Sequence, residues 1–356
     1  MLESQDDSIL QNDIEEIASN MSYQFEIMNN KTVFVTGATG LIGSQIIKAL
    51  SAINRIRNLN INIIAFVRNK EKANRMFKNI LNNKNFEIFS GDINQTIQYN
   101  GKIDYIIHCA SATSSKYFVS NPVETLNTSF IGTKNVLDIA KKNRVESMVY
   151  ISSLEVYGKS KDTNLVSEND YGYIDFLNIR SSYSEGKRIA ECLCKSYCEE
   201  YGLNVKMARL SQTFGPGVQY DDSRVFAEFC RAVLEKKDIV LHTEGKTTRT
   251  YCYTKDAVYA IFKLLLNGES GEAYNITNIN TAISIREMAQ LVCDIFPMAK
   301  LKVKIEIPDD IKKYGYNPEM IIKLDTEKIE KLSWKPQTDL KEMFVNTINS
   351  LKERSE

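Results

Sequence analysis

The chain contains very little histidine and no surplus of either charge. Its 356 residues include two histidines, His108 and His242, which are too few imidazole ligands for us to expect a metal-based active site. Lysine plus arginine and aspartate plus glutamate number 45 each. Because this balance gives no global field that would attract a polyanion, we expect neither a nucleic acid nor a membrane surface as a partner.

The sequence also lacks long apolar runs and paired cysteine motifs. No stretch approaches the length of a membrane span, and the acidic, polar beginning does not resemble a signal peptide. The seven cysteines are odd in number and include no CxxC pair, which favours reduced thiols over a disulfide framework. Together these absences predict a cytoplasmic protein.

What the sequence does contain is a tyrosine and a lysine four positions apart, Tyr183 and Lys187. On a helix this spacing places both side chains on one face. A lysine ammonium beside a phenol favours the phenolate, so the pair predicts a tyrosine able to act as a base near neutral pH. Such pairs also arise by chance, as an exposed tyrosine packed on a lysine stem, and the motif therefore needs support from elsewhere in the chain.

A glycine-rich turn upstream supplies that support. It follows a short β-branched run at residues 31–36 that predicts a buried parallel strand, and it precedes helical periodicity at residues 41–50. The glycines allow a tight turn and close backbone approach, and the helix N-terminus then faces a pyrophosphate. The alternative is a glycine-rich turn in another kind of α/β protein. The candidate dinucleotide-binding residues of this turn are Gly37, Gly40, Leu41, Ile42 and Gly43.

Strand-like and helical stretches alternate through the first part of the chain. This alternation predicts an α/β fold, a Rossmann-type doubly wound parallel sheet with a smaller C-terminal α/β substrate-binding lobe. We expect an N-terminal extension, helical or partly disordered, at residues 1–28, a dinucleotide-binding domain at 29–212 and the substrate lobe mainly at 213–356. Strands are predicted at residues 62–67, 86–89, 104–108, 147–151 and 204–210, and helices at 123–142 and 182–201.

Taken in order, these motifs resemble the extended short-chain dehydrogenase/reductase family of nucleotide-sugar enzymes, the NAD-dependent epimerases and dehydratases. The resemblance covers nearly the whole chain and implies that NAD and a nucleotide-sugar, with a UDP-sugar favoured, bind where the strands end at their carboxyl edges. Besides the Tyr183/Lys187 pair, the segments that carry it are residues 36–43, 91–93, 108–111, 152–158, 214–216 and 249–256.

Within the family, the block at residues 180–188 is similar to that of the UDP-glucuronate decarboxylases, also called UDP-xylose synthases. The resemblance implies that Tyr183 removes the proton of the sugar 4-hydroxyl while a hydride passes to the nicotinamide. Lys187 would lower the pKa of the tyrosine and hold the nicotinamide ribose. Ser153 would hydrogen-bond the same sugar oxygen, although a helix or turn cap is the simpler interpretation of this serine from the residues alone.

Glu155 and its neighbour Leu154 discriminate among the reactions of the family. The resemblance implies that 4,6-dehydratases carry an Asp-Glu pair here, 4-epimerases two small uncharged residues, and decarboxylases the Glu without the Asp. The present pair therefore predicts a decarboxylase-like enzyme that recycles its cofactor. The alternatives are a 4-epimerase, a 4,6-dehydratase, a 4-ketoreductase and, from another class, a non-catalytic dinucleotide-binding scaffold. As an isolated residue, Glu155 also fits a solvated loop carboxylate.

The resemblance also assigns the remaining ligand contacts. Arg249 would clamp the nucleotide diphosphate as a planar bidentate donor, with a surface salt bridge as the alternative. Gln212, at a position that is usually Asn, would contact the substrate phosphates. The other cofactor-binding candidates are Asp92 and Ile93 at the adenine, Cys109, Ala110 and Ser111 in the dinucleotide groove, and Thr213 and Arg224.

Some positions depart from the family pattern. At the end of the second strand, Arg68 stands where NAD-specific members place an acid for the ribose 2′-hydroxyl, so NADP is compatible with this site as well as NAD. Ser129 replaces a usual Asn, and residues 312–317 lack the decarboxylase pattern. These changes indicate a different nucleotide-sugar, or a biosynthetic 4-ketoreductase, as further alternatives.

The resemblance finally predicts a homodimer that is formed by the helices at residues 123–142 and 182–201. The second helix carries Ile189, Leu193 and Tyr197 at near-helical spacing. The same apolar stripe fits core packing, so the dimer rests mainly on the resemblance.

Overall fold

Parallel strands form the central sheet of the molecule. The computed structural model describes residues 2–20, 23–159, 165–308 and 319–355. In chain order, the strands are β1 (Thr32–Thr36), β2 (Asn62–Val67), β3 (Phe86–Ser90), β4 (Tyr105–His108), β5 (Ser147–Ser153), β6 (Leu165–Val166), β7 (Val205–Leu210), β8 (Gln212–Phe214), β9 (Ile239–Leu241), β10 (Thr248–Tyr253), β11 (Ala273–Ile276), β12 (Asn278–Ser284), β13 (Val303–Ile305) and β14 (Ile321–Leu324).

Helices connect these strands and cover both faces of the sheet. They are α1 (Ser8–Ser19), α2 (Leu41–Arg57), α3 (Lys70–Met76), α4 (Ser115–Ser120), α5 (Pro122–Asn127), α6 (Thr133–Asn143), α7 (Ser182–Tyr201), α8 (Val225–Glu235), α9 (Thr254–Asn267), α10 (Ile285–Ile295), α11 (Glu327–Glu330) and α12 (Leu340–Glu353). Short 3-10 turns lie at Phe25–Met28, Leu154–Tyr157, Ile179–Ser181 and Pro297–Ala299, and a π-helical turn lies at Thr128–Gly132.

The strand order in the large sheet is β11-β7-β5-β4-β1-β2-β3, with every neighbouring pair parallel. The chain moves outward from β1 through β2 to β3 and then crosses back to β4, so the winding reverses between β1 and β4. In open α/β sheets a ligand binds at such a reversal, outside the carboxyl ends of the strands. The predicted Rossmann-type doubly wound fold is confirmed.

The patterns read from the sequence correspond to real elements. β1 is buried along its whole length, as its β-branched composition predicts, and the strand at residues 62–67 and the helix at 182–201 have the predicted bounds. The helix predicted at residues 123–142 differs, because the π-helical turn Thr128–Gly132 separates α5 from α6. Within that turn, the Ser129 hydroxyl donates to the Thr125 carbonyl at 3.0 Å, a bond that competes with the regular helical ladder.

The N-terminal segment packs into the main core. α1 lies against α2, α9 and α12, and Ile14 and Ile17 on its inner face are completely buried. Phe25, in the following 3-10 turn, is also buried and meets Phe262 of α9 edge-on with the ring centroids 5.4 Å apart. The polar composition that suggested a partly disordered extension belongs to an ordered helix, in which some polar residues, Gln11 and Asp13 among them, are buried together with the apolar ones.

The remaining strands, which except for β6 follow β7 in the chain, form two smaller sheets. β12, β10, β14 and β6 make one sheet with β8 beside β10, while β13 pairs with β9. An apolar core under this lobe includes Phe214, Phe226 and Phe344. The chain also returns to the large sheet, because β11 pairs with β7 there. The division at residue 212 stays a prediction, and β11 lies beyond it.

In the described ranges, no helix combines the length and the apolar character needed to cross a bilayer. The same search of this part of the chain finds no group of three or more His, Cys, Asp or Glu side chains placed to hold a metal ion. His108 is instead buried between two threonines, with Nδ1 2.7 Å from the Thr36 hydroxyl and Nε2 3.1 Å from the Thr133 hydroxyl.

Candidate active site

The glycine turn lies between β1 and α2, at the reversal of the sheet. Gly37 has a φ of +62°, and a Cβ there would come within 2.6 Å of the Ala110 backbone nitrogen. A Cβ on Gly43 would come within 2.4 Å of the Gly37 carbonyl oxygen. Glycine is therefore required twice, once for a left-handed backbone and once for close packing of the helix against the turn.

The start of α2 is suited to a pyrophosphate. Gly40 occupies the N-cap without a side-chain hydrogen bond, and the first turn carries no acidic residue. The first amide groups of the helix thus keep their capacity to donate to an anion. Leu41 and Ile42 anchor the turn, since Leu41 packs on the core of the C-terminal lobe and Ile42 on the main core. The turn fits the dinucleotide that the sequence predicts.

The opposite wall of the groove follows β4. Cys109 and Ala110 continue directly from this strand, and Ala110 donates its backbone N–H to the Thr36 hydroxyl at 3.3 Å. Burial raises the pKa of the Cys109 thiol to about 12, so it remains protonated. The Ser111 hydroxyl donates to the neighbouring Ala112 carbonyl at 3.1 Å.

The predicted adenine end of the groove lies beyond β2 and β3. Arg68 follows β2 directly and is exposed. Asp92 follows β3, and its carboxylate accepts the backbone N–H of Asn94 at 2.9 Å. Ile93 is fixed by Asn135, whose side-chain amide donates to the Ile93 carbonyl at 2.8 Å. These residues form one end of the groove, away from the tyrosine and the lysine.

At the other end, Tyr183 and Lys187 project from the first turns of α7 toward the end of β5. The Lys187 ammonium donates to the Ile151 carbonyl at 2.7 Å and lies 5.8 Å from the centroid of the Tyr183 ring. It is 98 % buried, and this burial lowers its pKa to about 8. The predicted juxtaposition of the two side chains is present.

The electrostatics of Tyr183 differ from the sequence-based expectation. Burial raises the pKa of Tyr183 to about 12, and the Glu155 carboxylate acts in the same direction. A hydrogen bond with Ser153 and the charges of Arg180 and Arg224 oppose that rise, whereas the charge of Lys187 is absent from the main influences. Tyr183 is therefore a protonated phenol at neutral pH in this structure, because desolvation of the phenolate outweighs nearby positive charge.

Ser153 fulfils both interpretations of its sequence position. It ends β5 and caps the 3-10 turn Leu154–Tyr157, where its side chain accepts the backbone N–H of Glu155 at 3.2 Å. It also hydrogen-bonds the Tyr183 side chain. The cap explains why the serine is ordered, and the tyrosine contact places its hydroxyl at the site.

Glu155 is not a solvated loop carboxylate. Arg180 binds it in a bidentate manner at 2.7 and 2.8 Å, and the Ser184 hydroxyl donates to it at 3.0 Å. Burial raises its pKa, but Arg180, the charge of Arg249 and the Ser184 hydrogen bond outweigh burial and hold the pKa of Glu155 below its usual range. The site therefore contains an ionised carboxylate beside a protonated phenol.

Arg249 approaches from β10 and influences Glu155 through its charge. One of its terminal nitrogens contacts the Met320 sulfur at 3.5 Å, and its Nε is buried without a hydrogen-bond partner in the described part of the chain. It takes part in no salt bridge within those residues, so the alternative of a surface salt bridge is not observed. A buried guanidinium with unused donors is suited to an anionic ligand.

The other predicted ligand residues lie at the start of the C-terminal lobe. Arg224 is the N-cap of α8 and forms a salt bridge with Asp222 at 2.6 Å, while its charge still acts on Tyr183. Gln212 and Thr213 lie on β8, and the Thr213 hydroxyl donates to the Ser211 carbonyl at 3.0 Å. Residues 312–317, which the sequence marks as a departure from the family pattern, lie outside the described residues.

The structure adds two residues that received no role from the sequence. Arg180 stands three positions before Tyr183, within the quoted block, but nothing in its spacing indicates a partner in Glu155. Phe118 of α4 stacks on the Tyr183 ring with the centroids 4.3 Å apart and the planes at 8°. Both contacts join segments that are distant in sequence, so only the folded chain reveals them.

Fold and site together define an NAD-dependent enzyme with a tyrosine, a lysine and an ionised glutamate beside its dinucleotide groove. Residues 33–278 match the profile of the NAD dependent epimerase/dehydratase family, and the chain belongs to that family. When bound, the nicotinamide of NAD accepts and returns a hydride.

Several relatives are similar over most of this chain. UDP-glucuronic acid decarboxylase 6 of Arabidopsis thaliana is 30% identical over 317 residues, which cover 88% of this chain and 87% of the relative. UDP-glucuronic acid decarboxylase 1 of Xenopus tropicalis is 27% identical over 330 residues, which cover 92% and 74% of the two chains.

Solved structures share the fold. The UDP-glucose 4-epimerase of Thermotoga maritima, solved with UDP-glucose, matches with a TM-score of 0.77 and 22% identity over 91% of this chain and 100% of its own. The UDP-glucuronic acid 4-epimerase of Bacillus cereus, in complex with NAD, matches with a TM-score of 0.75 and 20% identity over 91% and 100%.

Proposed function

We propose that this chain oxidises the C4 hydroxyl of a nucleotide-sugar and decarboxylates UDP-glucuronate, with its NAD regenerated in each turnover. The observation that carries the proposal is the ionised Glu155 beside Leu154. Leu154 is 2 % exposed and packs in a small apolar cluster with Val156, Ile322 and Leu324. A 4,6-dehydratase needs a proton donor at this position, and a leucine that is committed to packing supplies none. The names of the decarboxylase relatives support the same reaction.

In this mechanism the site residues act on the sugar C4 oxygen and on C5. Ser153 and Tyr183 hold the C4 oxygen. Tyr183 first loses its own phenolic proton to solvent, then accepts the proton of the C4 hydroxyl and returns it when C4 is reduced. Once C4 is a ketone, the C5 carboxylate is β to a carbonyl, so the bond from C5 to the carboxyl carbon breaks and its electron pair moves to the C4 oxygen as an enolate. Carbon dioxide leaves and C5 gains a proton. Glu155 is ionised in the resting site, so it takes up a proton from water and passes that proton to C5, and this transfer is the role we assign to it.

The arginines of the site match the charge of this substrate. Arg249, with its unused buried donor, is assigned to the diphosphate. The charges of Arg180, from the turn before α7, and of Arg224, at the N-cap of α8, both act on Tyr183. Guanidinium groups bind phosphate and carboxylate through paired donors. A substrate with several negative charges is therefore the class that this site favours.

The test is the mass of the product after incubation of the purified protein with NAD⁺ and UDP-glucuronate. Loss of one carbon dioxide per sugar, with no net formation of NADH, is the expected result. An unchanged mass with separable C4 epimers would instead identify a 4-epimerase. Net consumption of NADPH on a keto-sugar would identify a reductase, and either result would replace the decarboxylase proposal.

We also propose that the protein acts as a cytoplasmic homodimer. The predicted stripe on α7 is divided, because Tyr197 is buried and donates to Asp138 at 2.7 Å, whereas Ile189 is 46 % exposed. Val123 and Phe130, on the neighbouring helical run, are 62 % and 41 % exposed. These outward apolar side chains, rather than the whole stripe, are the surface we assign to the second copy.

The dimer predicts that Ile189→Glu lowers the molar mass measured by light scattering to that of the monomer. A charge at the centre of an apolar interface is desolvated without a partner, which opposes association. Met298→Glu is the matched control, because Met298 is 89 % exposed on a different surface, and it should leave the mass unchanged. A wild-type protein that is monomeric at working concentration would contradict the proposal.

Arg68 leads to a prediction about the cofactor. An exposed guanidinium at the end of β2, with no acid at that point, is suited to a ribose 2′-phosphate. We expect NADP⁺ to bind with an affinity within about tenfold of that of NAD⁺. Arg68→Asp should weaken the binding of NADP⁺ alone, by roughly 10- to 100-fold, because a charge-assisted contact is lost. Calorimetric titration of both dinucleotides measures this. Equal weakening of both would contradict a role at the 2′-position.

A further inference from the structure

Arg180 connects the two proton-handling groups of the site. Its guanidinium binds both oxygens of Glu155, and its Cζ lies 5.6 Å from the centroid of the Phe118 ring. The same ring stacks on Tyr183. Ser184, which follows Tyr183 on α7, donates a hydrogen bond to Glu155. These contacts connect five side chains from α4, α7 and two 3-10 turns: Phe118, Glu155, Arg180, Tyr183 and Ser184.

We propose that Arg180 is a positioning residue of this enzyme: it fixes the Glu155 carboxylate for proton movement at C5 and, through Phe118, keeps the Tyr183 ring directed at the C4 oxygen. The inference rests on the proposed function in its choice of C4 and C5. The geometric part, that Arg180 orders Glu155 and Tyr183, does not depend on the identity of the sugar.

The neighbouring segments support a role beyond a surface ion pair. The side chains of Arg180 and Glu155 are each 11 % exposed, so little solvent screens the pair. The Phe118 carbonyl accepts the Ser182 hydroxyl at 3.3 Å, which ties α4 to the start of α7. Arg180 also keeps its Nε buried without a partner in the described residues. Each of its two terminal nitrogens thus donates to Glu155, while Nε has no partner among these residues.

The charges around the pair determine what removal of Arg180 should do. Glu155 is faced by Arg180 from the turn before α7, by Ser184 from α7 and by Arg249 from β10. Tyr183 is faced by Glu155 and Ser153, by Arg180 and by Arg224. Without Arg180, burial of Glu155 would be opposed only by Arg249 and Ser184. The pKa of Glu155 then rises, and the bare carboxylate disfavours the Tyr183 phenolate more strongly.

The first experiment needs no substrate. The carboxyl carbon signal of Glu155 is followed by NMR against pH in protein labelled in its glutamate side chains, and the signal is assigned by its loss in Glu155→Gln. We expect an apparent pKa below that of an ordinary glutamate in the wild type and above it in Arg180→Gln. Arg180→Lys should keep the pKa low, since its charge is retained. The same pKa in the wild type and in Arg180→Gln would overturn the proposal.

The second experiment separates charge from geometry by turnover of UDP-glucuronate. Arg180→Gln should lower kcat by about 100-fold, because the reacting groups are then misplaced. KM should change by less than about threefold, because binding of the substrate is not altered. The acidic limb of its pH profile should move to higher pH. Arg180→Lys should keep the limb of the wild type but remain about tenfold slow, because an ammonium cannot reproduce the bidentate contact.

Two further variants complete the design. Phe118→Leu removes the stack without touching Glu155, so kcat should fall while the NMR titration of Glu155 stays as in the wild type. Arg188→Lys is the matched control, since Arg188 binds the Val156 and Gly172 carbonyls and does not bind Glu155. Arg188→Lys should change neither the NMR titration of Glu155 nor the pH profile of turnover. If the wild type releases no carbon dioxide, the proposed function fails, while the NMR titration still decides the role of Arg180.

Discussion

Tyr183→Phe is expected to reduce turnover of the nucleotide-sugar by about 10³-fold or more, the upper part of the range for loss of a general acid–base group. The change removes only the hydroxyl. The ring stack on Phe118 and the bond from Lys187 to the Ile151 carbonyl involve other atoms, so the fold and the groove should be retained. Initial rates of product formation give the size of the loss, and calorimetric titration of NAD⁺ should show unchanged affinity.

Tyr150→Phe is the matched control for this result. Tyr150 is buried on β5 beneath Lys187, with its ring centroid 4.7 Å from the Lys187 ammonium, and Tyr150→Phe keeps this ring while removing a hydroxyl to which we assign no role. Its variant should keep most of the activity. Full turnover in Tyr183→Phe would remove the tyrosine from the mechanism and favour a protein that uses its dinucleotide fold for binding alone.

Glu155→Gln is expected to slow release of carbon dioxide by about 10²-fold, within the range for a residue that moves a proton. Glutamine has the shape of glutamate and accepts a hydrogen bond from Arg180, but it carries no charge and takes up no proton. The C4 oxidation step, which relies on Tyr183, should be affected less. Reduced nicotinamide should therefore accumulate on the enzyme, visible by its absorbance after mixing with UDP-glucuronate.

The control for that change is Glu185→Gln. Glu185 lies on the same helix, is only partly buried and contacts Arg188 at 3.4 Å. Its loss should leave both the rate and the state of the cofactor as in the wild type. If Glu155→Gln turns over as fast as the wild type, Glu155 has no part in decarboxylation. The reaction would then be one that needs no acid–base group at this position.

The pKa of Glu155 also links the site to stability. Its folded pKa lies below the unfolded value, so the ion pair with Arg180 contributes to folding above the unfolded pKa. That contribution is lost as the pH falls through the folded pKa. Activity that depends on the ionised form should follow the same direction and decline on the acidic side.

Local pattern was enough to predict the sheet and the framework of the site. Buried β-branched runs predict β1 and β2, the helical pattern predicts α7 with its observed bounds, and the glycine spacing predicts the turn. These features depend on neighbouring residues, and sequence patterns report them well. The placement of Tyr183 above Lys187 follows from the same helical geometry.

What the sequence could not predict depends on contacts between distant segments. The protonated state of Tyr183 is set by burial, which exists only after folding and which its spacing from Lys187 does not report. The bond between Arg180 and Glu155 joins positions 25 residues apart across two turns. The packing of α1 was not predicted either, because its partners α9 and α12 are distant from it in sequence.

That last arrangement has a consequence for how the chain is made. The Tyr23 hydroxyl donates to the Tyr259 carbonyl, 236 positions later, and Ser350 donates to Asp7 across 343 positions. At about 5–20 residues per second, the ribosome needs roughly 10 to 50 s to synthesise the first of these partners after Tyr23 has emerged. This segment therefore leaves the exit tunnel well before its partners are synthesised, and its apolar face stays unpartnered until they follow. Docking of this segment should be a late step of folding, after the parallel sheet has formed.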